Sequence, residues 1–206
     1  MKMGNNNLKG FAGLIGNLVI YNLQSKMVAR TRPNYRKGPL SEKRMKHRSS
    51  FRALQKLASG VKDSLIRRVW SSTVFTGGMN GYTWFMKLNN RAFDGTDKIQ
   101  FPELMTVSEG PLSLVKDLNA GLSNGRLVLR WNSNLQANHV DALDLLNVVF
   151  LVDREQLNVM KTSFVRSEGL VQIDLPDSEN NVSEGFIFWS SPGDHEFSPS
   201  VYWSVN

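Results

Sequence analysis

Seven short apolar runs, near 112–118, 126–132, 145–152, 157–165, 170–175, 184–191 and 200–205, alternate with turn residues through the second half of the chain. Short strands at that spacing read as an antiparallel sandwich. In the second run Leu127, Leu129 and Trp131 share one face and Arg126, Val128 and Arg130 the other, so Trp131 is expected in the core. Ser123-Asn124-Gly125 just ahead of it is a tight-turn signal. The seven runs match an immunoglobulin-like or fibronectin type III-like domain in size.

The first half is built differently. Phe51, Leu54, Leu57, Ala58, Val61, Leu65 and Val69 recur every three or four residues, which predicts an amphipathic helix with Ser41 as its N-cap. A shorter helix is expected over residues 82–93, with Phe85, Leu88 and Ala92 on its core side. Trp84 and Phe85 are core candidates that, beside cations, also suit base stacking. Ahead of the helices, residues 18–21 and 27–30 flank Asn22-Leu-Gln-Ser-Lys26 as a hairpin. Arg30, Arg32, Arg36 and Lys37 follow, with Pro33 and Pro39 holding an extended arm and Tyr35 among the cations. The expected class is therefore α+β: an N-terminal β-hairpin, an extended basic arm and α-helices, then an immunoglobulin/fibronectin III-like β-sandwich. The expected divisions are 1–40, 41–93 and 94–206.

Charge is distributed unevenly. Residues 1–91 carry nine Lys and nine Arg against Glu42 and Asp63, a net +16, and residues 92–206 carry a net −9. Arg44, Arg48, Arg52 and Lys56 stand four residues apart on the helix, where like charges repel by roughly 0.2–0.5 kcal/mol per pair. That stripe suits a negative partner or is a solvated polar face. Lys43 and Lys46 extend it.

Several chemistries find no support. The 206 residues contain no cysteine, so disulfides and thiolate chemistry are excluded. No run of about 18 apolar residues is present to span a membrane, and Asn17 and three glycines interrupt the apolar start, so no export signal is expected. The location expected is cytoplasmic or within a virion-like particle. Gly10, Gly13 and Gly16 are spaced G-x-x-G-x-x-G, but no Gly-Lys-Ser/Thr follows to make a phosphate loop; they suit turns or close chain approach. His47 sits in the basic helix, while His139 with Asp141, and Asp194-His195-Glu196, lie in polar clusters that read as loops before metal sites. No nucleophile or metalloprotease motif occurs. No cofactor, metal or catalytic residue is expected.

The order of short motifs resembles an uncharacterised family of Bacteroidota proteins carried as a domain of unknown function. Gly13-Leu-Ile-Gly16-Asn17 is similar to its glycine-rich start, and Val28-Ala-Arg30-Thr-Arg32-Pro33 to its V-R-x-x-P phrase. Ser41-Glu-Lys-Arg44 through Arg48-Ser-Ser-Phe51 follows its S-x-x-Q-x-x-x-R-x-x-F phrase with Arg44 in place of glutamine. Ser108-Glu-Gly110-Pro-Leu112 matches the step into its β-rich C-terminal half. The resemblance spans about half the chain and implies the two-part architecture without an activity.

These features fit a non-enzymatic structural subunit of a larger assembly, such as a virion, tail-like or filament component. Leu18, Ile20, Tyr21, Met27 and Val28 are its candidate assembly residues. Arg30, Arg32, Arg36, Lys37, Lys43, Arg44, Lys46, Arg48, Arg52 and Lys56 are candidates for contact with a polyanion or a partner subunit. Weakly specific binding to RNA or DNA is the alternative. A ligand-binding sandwich, with Trp189, Tyr202 and Trp203 as candidates, is a third.

Overall fold

In the computed structural model, residues 12–23, 26–34, 38–72, 79–133, 135–136, 141–175 and 182–205 are described. The chain divides into two compact units, Met1–Leu40 and Ser41–Asn206. Among the described residues, three helices and ten strands in three antiparallel sheets make it a mixed α+β protein.

The first unit is a three-stranded meander, β1 (Gly13–Ile15), β2 (Leu18–Leu23) and β3 (Lys26–Thr31). The expected hairpin is β2–β3, and β1 is a strand that the sequence pattern did not announce. Ile15 pairs with Leu18 across Gly16-Asn17, and Gly16 takes φ 57°, a conformation glycine adopts without a Cβ penalty. The Arg32 N–H donates to the Asn17 carbonyl at 2.7 Å.

In the second unit, α1 (Glu42–Gly60) buries Leu54, Leu57 and Ala58 of the expected stripe, and Ala53 beside them. Two expectations about it need correcting. Ser41 occupies the N-cap position, but its side chain makes no capping bond. Phe51 is 43% exposed. Six residues of helix place it about 120° from Leu57, on the rim of the stripe. The helix also stops where the periodicity continues. Gly60 ends it, and Ser64 restarts it by donating to the Val61 carbonyl (2.7 Å) and accepting from the Ile66 N–H (3.2 Å). The next helix, α2 (Leu65–Ser72), buries Ile66, Val69 and Trp70.

The following helix, α3 (Gly81–Asn89), is capped by Asn80, whose Oδ1 accepts from the Thr83 N–H at 2.8 Å, and runs into a 3-10 turn at Asn90–Ala92. Phe85 and Ala92 are buried and Leu88 half-buried. A Cβ on Gly81 would lie 1.6 Å from the Trp70 carbonyl oxygen, so glycine is what lets α3 start against α2.

Seven strands follow: β4 (Lys116–Ser123), β5 (Arg126–Asn132), β6 (Leu145–Val152), β7 (Gln156–Val165), β8 (Leu170–Asp174), β9 (Glu184–Ser190) and β10 (Val201–Ser204). They form sheets ordered β10-β9-β6-β7 and β4-β5-β8. Asn124 (φ 51°) and Gly125 (φ 74°) make the two-residue β4–β5 turn, the doubly left-handed geometry that matches strand twist. The strand expected at 112–118 is displaced. Residues 112–115 are irregular, with Leu112 and Val115 buried, and β4 continues through Asn119-Ala-Gly-Leu-Ser123 past a register shift where Asp117 has φ 53°.

The four-stranded sheet is apolar on both faces. Leu146, Val148, Phe150, Ile187 and Trp189 join Leu127, Leu129, Trp131, Val171 and Ile173 of the other sheet in one cluster. From the opposite face Val149, Leu151, Phe186 and Phe188 join the α1, α2 and α3 core residues in a second cluster. A strand covered on both sides loses the alternation of a half-exposed one. That is why β6 reads Leu-Leu-Asn-Val-Val-Phe-Leu-Val.

Candidate functional site

The first candidate surface is the three-stranded sheet. Its register separates two chemically distinct faces. One carries Ile15, Leu18, Ile20, Met27 and Ala29 with Gly13, Asn22 and Thr31, and holds no charge. The other carries Leu14, Val19, Tyr21, Leu23 and Val28 together with Lys26 and Arg30. The Arg30 guanidinium stands 5.6 Å from the Tyr21 ring centre, a cation–π contact. The expected assembly residues are thus divided, Leu18, Ile20 and Met27 on the uncharged face and Tyr21 and Val28 on the cationic one. No described residue of this sheet is buried. Arg32 is exposed beyond β3, and Arg36 and Lys37 lie outside the described residues.

The second surface is the outer face of α1. Lys43, Arg44, Lys46, Arg48, Arg52 and Lys56 are all exposed, as is His47. Burial begins only at Ser50, so residues 42–48 are exposed on every side of the helix. The cations are not equivalent. Lys56 pairs with Glu155 at 3.1 Å, and Lys98 reaches the other oxygen of that carboxylate at 3.4 Å. The hydrogen bond from Lys56, then that from Lys98, holds the Glu155 carboxyl below its usual range. The stem of Lys46 lies against Gly95, where an added Cβ would come within 2.8 Å of it. Arg44, Arg48 and Arg52 have no ion pair among the described residues, and Phe51, on the same helix, is 43% exposed.

Trp84 makes other contacts: its Nε1 donates to Glu109 Oε2 at 2.7 Å and Lys87 Nζ lies 4.8 Å from its ring centre. Phe85 packs edge-on to Trp70 inside the core.

Three buried or half-buried ionic networks escaped the sequence reading. Asp194, taken there as a loop residue, is buried and accepts from Arg68 (3.2 Å) and Lys161, which ties α2 and β7 to the turn after β9. Burial pushes its carboxyl up, but the Lys161 and Ser190 hydrogen bonds and the nearby cations outweigh that and hold it below the usual range. His195 and Glu196 beside it are exposed, and His139 lies outside the described residues. Glu184 accepts from Arg154 Nε (2.7 Å) and the Tyr202 hydroxyl (2.7 Å). Deepest is Asp144 with Arg166, 3.0 Å apart, whose guanidinium lies 4.6 Å from the Trp189 ring centre. Trp189 and Trp203 are themselves fully buried or nearly so, which makes them core residues. The only signal for these networks was a lone charge inside or beside an apolar run.

Each of these carboxylates is matched by a cation or a phenol and lies in a packed layer, so the networks tie elements together. Among the described residues no three His, Asp or Glu side chains converge as metal ligands, and no helix is long and apolar enough to cross a membrane. A scan against known protein families gives no matching family model, and a comparison with curated proteins gives no match.

Proposed function

We propose that the protein is a non-enzymatic structural subunit of a larger assembly, a virion, tail-like or filament component, in which the N-terminal sheet is the contact element. One observation carries this reading: a three-stranded sheet with an uncharged apolar face and no buried residue. Sheets of this size need a packed face for stability. Covering Ile15, Leu18, Ile20 and Met27, which start about half-exposed or less, is worth roughly 3–6 kcal/mol. The partner in this reading is a second copy of the chain, and a heterologous contact of that kind closes into rings or runs into filaments. The strand order β10-β9-β6-β7 over β4-β5-β8, with one cluster between the sheets, supports a fibronectin III-like sandwich as the body of the subunit.

Sedimentation velocity at protein and nucleic-acid wavelengths, in low and high salt, tests the proposal. A large species free of nucleic acid, persisting in high salt and lost in Ile20→Lys, is the expected result. A monomer at every salt concentration refutes it.

Nucleic-acid binding is the second reading, favoured by Arg44, Arg48 and Arg52, which have no ion pair among the described residues, and by the exposed Phe51 on the same helix. Cations with an exposed aromatic suit a single strand. About six phosphate contacts on duplex would give a log–log salt slope near −5. Its mark in the same experiment is nucleic-acid absorbance that leaves the sedimenting species as salt rises.

A further inference from the structure

The second unit contains a cavity of about 790 Å³ where α1 ends and α2 and α3 pack together. Its volume lies in the range of small-molecule sites, which are mostly apolar with a few polar groups that fix orientation. Val61, Ile66, Trp70 and Phe85, all buried, form its floor, and the exposed ring of Tyr82 stands on its wall. The hydrogen-bonding capacity of Trp70 is met in the core, because its Nε1 donates to the Val107 carbonyl at 3.0 Å. What Trp70 offers the cavity is therefore an apolar ring.

The charged part of the lining is of one sign, beside the neutral polar groups of Ser59, Ser71 and Asn80. Lys62 and Arg67 both contribute to it and both are exposed. Arg67 Nη1 donates to the Lys62 carbonyl at 3.3 Å, which keeps the guanidinium beside Lys62. Neither cation has an ion pair among the described residues, and no carboxylate is among the described residues that line the cavity. Both side chains are therefore available to an incoming anion.

We infer that this cavity binds a small amphipathic anion, with an apolar body against the exposed Tyr82 ring, over the floor made by Val61, Ile66, Trp70 and Phe85, and a carboxylate between Lys62 and Arg67. A neutral molecule of the same shape satisfies the apolar wall and leaves the two cations unanswered. An inorganic anion does the reverse. Only a molecule with both parts uses the whole site.

The probe is dodecanoate, with dodecanol as its neutral counterpart, titrated into the full chain below the concentration at which either forms micelles. Binding is read by calorimetry and by displacement of 1-anilinonaphthalene-8-sulfonate. The expected result is saturable binding of one dodecanoate per chain, at least tenfold tighter than dodecanol. Lys62→Ala/Arg67→Ala is expected to weaken dodecanoate about tenfold, the scale of one charge-assisted hydrogen bond at a partly wet site, and to leave dodecanol unchanged. Both substitutions are at exposed positions, and the dodecanol comparison on the unaltered protein needs no variant at all. No saturable binding, equal affinity for the acid and the alcohol, or an unchanged double variant overturns the inference. So does a dimer that dodecanoate dissociates, which assigns the cavity to a second copy of the chain.

Discussion

Replacing Arg166 by methionine isolates the most deeply buried cation among the described residues. Its side chain is 2% exposed and that of Asp144 is 1% exposed. The guanidinium donates through Nε to Asp144 Oδ2 (3.1 Å) and through Nη2 to the Ser113 carbonyl (3.1 Å), with Nη2 also 3.0 Å from Oδ2 in the ion pair, while stacking on Trp189. The main chain of Arg166 adds two more bonds: its N–H donates to the Asp144 carbonyl and its carbonyl accepts from Trp131 Nε1, each at 2.9 Å. Methionine keeps the main-chain bonds and most of the volume, so the substitution removes the charge and its hydrogen bonds to Asp144 and to the Ser113 carbonyl. Asp144 is then a buried carboxylate whose Oδ1 already has no partner among the described residues.

Removing one member of a buried pair costs about 3–5 kcal/mol, while replacing both members by apolar residues is often near neutral. Arg166→Met is therefore expected to lose about 3–5 kcal/mol in urea unfolding and about 6–20 °C in Tm. Asp144→Val/Arg166→Met should regain more than half of that loss. The pH dependence distinguishes this from a packing defect. Burial already pushes the Asp144 carboxyl up, against the pull of the Asp141 N–H and of Arg166, and without Arg166 it rises further. A raised folded-state pKa gives stability that is fully present below the unfolded value and is lost as pH rises through the folded one. The deficit of Arg166→Met should therefore shrink from pH 8 to pH 5, by up to about 1.4 kcal/mol per pH unit within the titration range. A deficit equal at both pH values, with a double variant no better than the single, would refute the role assigned to the pair.

Two glycines should respond to alanine with opposite signs. Gly81→Ala drives a Cβ into the Trp70 carbonyl and should cost at least about 2 kcal/mol, whereas Gly60→Ala, with nothing within 4 Å of its Cβ, should gain about 0.4–1 kcal/mol; paired denaturation curves decide. Burial, then the bond to Glu184, pushes the Tyr202 phenol up to about 12. Ultraviolet titration should show one of the four tyrosines ionising last, absent in Tyr202→Phe, and the stability held by the neutral phenol should fade as pH climbs from about 10 towards 12. The lowered Asp194 carboxyl contributes stability present above the ordinary aspartate pKa and lost as pH falls through its folded value, so acid unfolding of Asp194→Asn should begin from a lower plateau and with a shallower slope.

The sequence was most legible where one interaction dominates a segment. β5 and β6 fall on the residues read from the pattern because burial on one or both faces leaves no other register. Asn124-Gly125 was readable because few residue pairs tolerate two left-handed conformations in succession. Legibility failed where tertiary contacts replaced local signals. Asn119-Ala-Gly-Leu-Ser123 has little strand propensity and is a strand because β5 offers it a ladder. Residues 112–115 have the apolar pattern of a strand, but the Leu112 N–H bonds to the Phe197 carbonyl and the segment stays irregular. Of the candidate site, the exposed cations of α1 were readable as types and positions. Which of them already had partners was not, because Glu155 lies 99 residues from Lys56.

The charge pattern changes meaning when it is counted by structural unit rather than by half of the sequence. Cut near residue 91, the chain gives +16 and −9, an invitation to head-to-tail electrostatic assembly. Cut where the units divide, residues 1–40 hold seven Lys and Arg and no carboxylate, while residues 41–206 hold 18 of each sign. The whole net charge of +7 thus belongs to the first unit. Within the second unit, cations of the helices meet carboxylates of the sheet region directly, as Lys56 does Glu155 and Arg68 does Asp194. A neutral body gives weak electrostatic attraction to a cationic neighbour at physiological salt, where screening acts within about 8 Å. Self-assembly through the N-terminal sheet must then draw on the uncharged face of Ile15, Leu18, Ile20 and Met27, and should survive high salt. Contacts that high salt abolishes belong to the cations, and to a polyanion rather than to another copy.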